Sequence, residues 1–123
     1  MAATLLISIV DDDDAMRDAL VGLVRSLGYE ACDFASAEDF LACKDLGKFS
    51  CAITDIQMPG MNGFELKREL SSHHDSLPVI MITARAEPGI EEKAMSSGAT
   101  CFLRKPFEAE MLANCLQRVL TGV

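Results

Sequence analysis

The sequence predicts an α/β fold of the doubly wound (βα)5 type, in which helices cover both faces of one five-stranded parallel sheet. Five strand-sized apolar runs alternate with segments of helical spacing, which is the pattern of repeated βα units. The runs are continuously apolar rather than alternating, as expected for strands that are buried on both faces of a parallel sheet. The length of 123 residues fits one domain with one core.

The predicted strands are short, and the second is the weakest. They cover residues 5–10, 30–34, 51–54, 79–83 and 101–103. With a strand order of 2-1-3-4-5, the first and third strands are neighbours, and the winding of the chain reverses between them. Sheets of this kind bind ligands in the crevice at the carboxyl ends of the strands at such a reversal. The residues that follow the strands are therefore the candidates for function.

Local signals mark the first two helices. Apolar residues from Met16 to Leu27 recur in steps of three and one, which places them on one helix face, and Gly28 is expected to end this helix. Ser36 is the expected N-cap of the second helix, with Asp39 three residues further on in a capping-box-like arrangement.

The remaining three helices follow the same logic. The loop at 59–63 precedes the third helix, Pro88 is expected in the first turn of the fourth, and Gly98 is expected to close the fourth. The fifth helix is expected to present one apolar face, formed by Met111, Leu112, Cys115, Leu116, Val119 and Leu120.

The charge balance argues against two classes of partner. The chain carries 11 basic and 19 acidic residues, which gives a formal net charge of −8. A phosphate backbone or an anionic membrane surface attracts the opposite sign of charge. We therefore expect neither direct nucleic-acid binding nor membrane association.

The cysteines and the termini bear on location and domain organisation. Five cysteines form an odd set without a C-x-x-C pair, which fits a reducing, cytoplasmic environment better than a disulfide framework or a zinc site. The apolar start lacks the basic residues and the cleavage site of a signal peptide. Because the last helix reaches the end of the chain, residues 1–123 are expected to form one domain without an output domain.

Polar side chains stand at the carboxyl ends of four strands. Asp11 and Asp12 follow the first strand, Asp55 ends the third, Thr83 ends the fourth and Lys105 follows the fifth. In the order 2-1-3-4-5 the three carboxylates converge, and at roughly 4 Å each pair would repel by about 1–4 kcal/mol. Such a group needs a cation. Oxygen-only ligands at a solvated rim favour Mg²⁺, with Mn²⁺ as an alternative.

A metal held in this way favours a phosphoryl ligand. Lys105 adds a positive charge and Thr83 a hydroxyl donor, which are the groups that stabilise charge on the oxygens of a transferring phosphoryl group. Asp55 is the expected acceptor, because carboxylates form acyl phosphates. Asp13 and Asp14 are expected only to favour the positive end of the first helix.

The segments IVDDDD, TDIQMPGMNG, MITA and LRKPF stand in the order of the motifs of a known family. Over nearly its whole length the chain resembles the receiver domain of two-component response regulators, whose fold is flavodoxin-like (CheY-like). The resemblance implies that Asp11 and Asp12 form the acidic metal pair. It also implies that Asp55 is the phospho-acceptor, Thr83 the switch hydroxyl and Lys105 the functional lysine of the family.

The resemblance implies further roles around this centre. Asp12, Asp55 and the backbone carbonyl of Gln57 would join Asp11 in the metal site. Phe102 would be the aromatic residue that swings inward when Thr83 moves toward the phosphoryl group.

Three neighbours are expected to tune the reaction. The small side chain of Ala84 leaves room for the phosphoryl group. Gln57 and Arg85 stand two residues after the acceptor and two residues after the threonine, and we expect them to affect the lifetime of the aspartyl phosphate by limiting the access of water.

The details resemble receivers of the FixJ/NarL type, which usually precede a LuxR-type DNA-binding domain. They are the IVDDD start, the loop with Pro59 and Gly60, and the FLRKPF segment, in which the Lys105–Pro106 bond looks like the cis peptide of the family. In that subclass phosphorylation commonly promotes dimerisation through the fourth helix and fifth strand, here residues 87–104.

The function implied is a phospho-acceptor switch: a histidine kinase or a small phosphodonor modifies Asp55, and the face at 87–104 controls dimerisation or an output. Such a protein is no enzyme beyond its own phosphorylation and autodephosphorylation. One alternative is a receiver-like module that dimerises without phosphorylation. Another is a haloacid-dehalogenase-like phosphatase with a D-x-D-x-T motif from Asp11, although Ala15 stands where the threonine belongs.

Overall fold

The computed structural model describes residues 5–73, 77–85 and 87–121. Five strands alternate with five α-helices, and a short 3-10 turn at Leu46–Lys48 precedes the third strand. In chain order the elements are β1 (Leu6–Val10), α1 (Asp14–Ser26), β2 (Glu30–Phe34), α2 (Ala37–Leu41), β3 (Cys51–Asp55), α3 (Gly63–His73), β4 (Val79–Thr83), α4 (Ile90–Ser96), β5 (Cys101–Arg104) and α5 (Ala109–Thr121).

The strands form one parallel sheet in the order β2-β1-β3-β4-β5, which confirms the predicted (βα)5 fold. The register pairs Val10 with Thr54 in the two central neighbours, β1 and β3. Asp55 in turn pairs with Ile82 of β4. The loops that leave β1, β3 and β4 therefore start side by side at one edge of the sheet.

The core consists of two apolar layers, one on each face of the sheet. Successive strand residues alternate between them: Ala52 packs in the layer beneath α2, α3 and α4, and Ile53 in the layer beneath α1 and α5. All five residues of β3 and of β4 are buried, which explains their unbroken apolar runs. None of the helices in the described ranges has the length and hydropathy that a bilayer span requires.

The predicted helix boundaries are confirmed in three places. The Ser36 side chain caps α2 by accepting a hydrogen bond from the Asp39 N–H at 3.0 Å. Gly28 and Gly98 follow the last turns of α1 and α4 with φ of 96° and 105°, in the left-handed conformation common after a helix end.

Two local predictions were wrong. Pro88 lies before α4 rather than in its first turn, because Gly89 adopts a left-handed φ of 79° and the helix begins only at Ile90. Met111 is 49% exposed, although the spacing assigned it to the apolar face of α5. The buried face of α5 contains Leu112, Cys115 and Leu116, and Met111 lies at the edge of that face.

Candidate functional site

The carboxylates of Asp11, Asp12 and Asp55 meet at the carboxyl edge of the sheet. One oxygen of each lies within 4.8 Å of the others. Asp11 is 1% exposed and Asp55 9% exposed, whereas Asp12 is open to solvent. Oxygen ligands with one open side fit a hard divalent cation that keeps several waters, such as Mg²⁺. The arrangement therefore fits the cation that the sequence predicts.

Lys105 reaches into this group from the loop after β5. Its Nζ donates to Oδ2 of Asp11 and to Oδ2 of Asp55, each at 3.0 Å. The Lys105 N–H donates to the Thr83 carbonyl at 2.8 Å, which ties the loop to the end of β4. Burial acts to lower the pKa of the Lys105 ammonium, but the hydrogen bonds to the two carboxylates raise it on balance. Lys105 thus stays charged.

The environment raises the pKa of Asp55 above its ordinary value. The main cause is burial, and the negative charge of Asp11 acts in the same direction. The hydrogen bond from Lys105 opposes the shift, as does the Gln57 N–H, which donates to Oδ1 of Asp55 at 3.2 Å. An ionised Asp55 is therefore costly to the folded protein when no cation is bound.

We predict that Asp55→Asn stabilises the protein when EDTA removes divalent cations. Removing one of three clustered charges should add about 1 kcal/mol to the free energy of unfolding at neutral pH. Because the folded pKa lies above 3.8, the folded state holds the Asp55 proton more tightly than the unfolded state does. Wild-type stability therefore falls, relative to the variant, as pH rises through the window above 3.8.

Urea denaturation at several pH values measures this difference. The gain should fade as the pH falls below 3.8, where the wild-type carboxyl becomes protonated in both the folded and the unfolded state. It should shrink with added Mg²⁺ at neutral pH. A variant less stable than wild type in EDTA would contradict the assignment of Asp55 to a repulsive cluster.

Thr83 ends β4 and is 1% exposed. Its hydroxyl donates to Oε1 of Gln57 at 2.5 Å and accepts from the Arg85 N–H at 3.1 Å. The threonine hydroxyl therefore hydrogen-bonds to the residue two positions after Asp55 rather than to Asp55 itself.

The other predicted residues lie around this centre. Ala84 is exposed beside the carboxyl edge, and the Arg85 side chain is 67% exposed, with its Nη1 3.6 Å from Oε1 of Glu87. Phe102 is half-buried against the layer beneath α4, and the Arg104 guanidinium carbon lies 5.8 Å from its ring centre. The Lys105–Pro106 bond is cis, which confirms that expectation.

The loop after β3 contains Pro59 and Gly60, and it is fastened to α2. Gly60 has a φ of 74°, and a Cβ at that position would lie 2.6 Å from Oε2 of Glu38. The same carboxylate accepts the Met61 N–H at 3.1 Å. Glu38 therefore fixes the loop that follows Asp55, a role that the sequence reasoning missed.

We predict that Gly63→Ala destabilises the protein by about 1–3 kcal/mol, because the site backbone leaves no room for a side chain there. A Cβ on Gly63 would lie 2.7 Å from the Asp55 carbonyl oxygen and 3.0 Å from Cα of Ile56. Gly22→Ala is the matched control, since that helical position is open and alanine should add about 0.5–1 kcal/mol. Thermal unfolding of both variants compares them, and equal effects would contradict the prediction.

Arg17 was also missed by the sequence reasoning. Its guanidinium donates to the Asp11 carbonyl at 2.9 Å, to Asp33 at 3.0 Å and to Asp14 at 2.7 Å, and so it fixes the loop after β1. Only the i,i+3 spacing from Asp14 could have signalled it. Asp13 is the N-cap of α1 and accepts the N–H three residues on at 3.1 Å, so it serves the helix start as the sequence predicts.

Comparisons with known proteins agree with this geometry. The sequence profile of the response regulator receiver domain matches residues 7–117. The transcriptional regulatory protein FixJ of Bradyrhizobium diazoefficiens is 33% identical over 114 residues, covering 93% of this chain and 56% of FixJ. The response regulator protein TmoT of Ectopseudomonas mendocina is 38% identical over 117 residues, covering 94% of this chain and 52% of TmoT. The chain spans about half the length of the curated relatives it matches.

A solved structure supports the same family. The chemotaxis protein CheY4 of Vibrio cholerae superposes with a TM-score of 0.86 at 32% identity, covering 96% of this chain and 100% of that one. Receiver domains are signalling switches rather than enzymes, which sets aside the phosphatase alternative. The motif of that alternative would include Asp13, which here caps α1. The profile match spans every predicted site residue, and the chain belongs to the response regulator receiver domain family.

Proposed function

We propose that this receiver is a phospho-acceptor switch in which Asp55 takes a phosphoryl group from a histidine kinase or a small phosphodonor. The observation that carries the proposal is the Lys105 ammonium, held 3.0 Å from both Asp11 and Asp55. A cation placed there neutralises the resting carboxylates, and it stands ready to bind a phosphoryl oxygen once Asp55 is modified.

The residues present fit Mg²⁺, with Mn²⁺ as an alternative hard cation. Asp11, Asp12 and Asp55 would hold it together with the backbone carbonyl of Gln57, and the solvent-open side would keep waters that a phosphoryl oxygen can replace. When bound, the ion supplies positive charge that offsets the charge of the carboxylates and of the phosphoryl group.

In the transfer step, a carboxylate oxygen of Asp55 forms a bond to phosphorus. The bond from phosphorus to the donor breaks, and its electron pair leaves with the imidazole nitrogen of a kinase histidine or the acyl oxygen of a small donor. Lys105 donates to the transferring group, and Thr83 supplies a second donor. The exposed Ala84 adds no bulk beside the acceptor.

Gln57 and Arg85 are the residues that we expect to affect the lifetime of the aspartyl phosphate. Both line an open groove next to the carboxylates, together with Asp12 and Lys93. Autodephosphorylation requires a water to attack phosphorus, and this groove would be its route. Side chains in the groove limit that approach, and the self-catalysed loss of phosphate is the only turnover that we propose for the chain.

The output surface that we propose is residues 87–104. Met95 is 46% exposed there, and it lines an open groove between α4, β5 and α5 with the half-buried Phe102. An inward swing of Phe102 as Thr83 moves would reshape this groove and promote homodimerisation or contact with an output domain. The name of FixJ, a transcriptional regulatory protein, supports an output that binds DNA. The five free cysteines support a cytoplasmic setting.

Intact-mass spectrometry after incubation with acetyl phosphate tests the proposal. With Mg²⁺ we expect one phosphoryl adduct per chain, and with EDTA none. Light scattering on the same samples reports the oligomeric state. A dimer that forms equally with and without the adduct would favour the phosphorylation-independent module, and a chain that takes no phosphoryl group from any donor or kinase would refute the switch.

A further inference from the structure

The hydroxyl of Thr83 forms its hydrogen bonds with residues other than Asp55, the phospho-acceptor. It donates to Oε1 of Gln57 at 2.5 Å and accepts from the Arg85 N–H at 3.1 Å. A hydroxyl has only one proton to donate, so the bond to Gln57 uses it. Because Thr83 is 1% exposed, bulk water does not compete for that proton.

The backbone of Gln57 is hydrogen-bonded to Asp55, the phospho-acceptor. Its backbone N–H donates to Oδ1 of Asp55 at 3.2 Å. One residue thus contacts the acceptor through its backbone and the threonine through its side chain. The Thr83–Gln57 bond spans 26 positions of sequence and joins the ends of β3 and β4.

A phosphoryl group on Asp55 would offer Thr83 new acceptor oxygens. Hydrogen bonds to ionised acceptors are roughly twice as strong as those to neutral ones, so a phosphoryl oxygen can replace the Gln57 amide oxygen as the acceptor of the Thr83 hydroxyl. The Thr83–Gln57 bond must break first. Every phosphorylated molecule therefore has two competing positions for the Thr83 hydroxyl.

We propose that the Gln57 side chain is a latch, which holds Thr83 in the resting position and sets how readily the modified domain reaches its active conformation. This inference rests on the proposed function, because it requires Asp55 to take up a phosphoryl group. Gln57 is a positioning residue that acts through Thr83. Its side chain opposes the switch, whereas Lys105 promotes it.

The latch predicts a direction that a merely supporting residue would not give. If the Gln57 side chain merely supported the site, its loss would weaken the binding of a phosphoryl analogue to Asp55. If the side chain is a latch, its loss strengthens that binding. Gln57→Met removes the acceptor oxygen with little change in side-chain length. Gln57→Glu keeps an oxygen that can accept from Thr83 and serves as the matched control.

Titration with beryllofluoride and Mg²⁺ provides the measurement, since beryllofluoride mimics a phosphoryl group on a carboxylate. We expect Gln57→Met to bind it about two- to tenfold more tightly than wild type, the factor that one ordinary hydrogen bond contributes. Gln57→Glu should bind no more tightly than wild type. The amide resonance of Arg85 is the local reporter, because that N–H donates to Thr83.

A double-mutant cycle shows whether the effect passes through the threonine. In a Thr83→Ala background, Gln57→Met should leave the beryllofluoride affinity unchanged within about twofold, because no hydroxyl remains to be held. An equal gain with and without the Thr83 hydroxyl would overturn the latch, as would unchanged or weaker binding by the single variant. Failure of wild type itself to bind beryllofluoride would instead refute the phospho-acceptor function, and the latch with it.

Discussion

Asp55→Ala is expected to lose the Mg²⁺-dependent phosphoryl adduct completely. Asp55 is the carboxylate that ends the central strand β3, which lies between β1 and β4. It accepts a hydrogen bond from Lys105 at 3.0 Å. Asp11 also contacts Lys105, but it is more deeply buried and cannot take its place. Alanine keeps the backbone of β3 and removes only the nucleophile.

Intact-mass spectrometry after treatment with acetyl phosphate gives the readout. Asp18→Ala is the control, because Asp18 lies exposed on α1 and its substitution should leave the adduct at the wild-type level. Circular dichroism should show both variants folded. Full labelling of Asp55→Ala would mean that another group accepts the phosphoryl, and the site would have to be reassigned.

Lys105→Met is expected to slow phosphorylation by about 10²–10³-fold, the usual cost of removing one donor that stabilises developing negative charge. Methionine keeps most of the length and removes the ammonium that bridges Asp11 and Asp55. The variant also leaves the site one positive charge poorer, which makes the approach of an anionic donor less favourable.

Rates of adduct formation at saturating Mg²⁺ compare this variant with wild type. Lys44→Met removes an exposed lysine from the turn after α2 and should leave the rate unchanged. Because Mg²⁺ is saturating, a slow rate in Lys105→Met reports the lost donor rather than lost metal. A rate within a few-fold of wild type would exclude Lys105 from the transfer step.

The fold was predictable because the strong signals in this chain are local. The runs that became β3 and β4 are unbroken and apolar, and they are the strands buried along their whole length. The acidic group followed from the same reasoning: parallel strands end at one edge, so the residues after β1 and β3 had to converge. The assumed strand order and the resemblance to receiver domains then brought Lys105 to the same group, where it contacts Asp11 and Asp55.

Other features could not be predicted from the sequence because they depend on side-chain contacts between distant segments. The hydrogen bond from Thr83 to Gln57 joins residues 26 positions apart, and the bond from Met61 to Glu38 joins residues 23 positions apart. Hydrophobic periodicity carries no information about such contacts. The start of α4 was misplaced for a different reason. Proline is common in a first helical turn, but the left-handed Gly89 that follows Pro88 prevents the helix from beginning there.

The position of the phosphoryl group is the most direct test of the central claim. Reduction with borohydride converts an aspartyl phosphate to homoserine, which peptide mass spectrometry can locate. We predict homoserine at position 55, with Asp11 and Asp12 unchanged. Homoserine at position 11 or 12 with Asp55 intact would contradict the assignment of Asp55 as the acceptor.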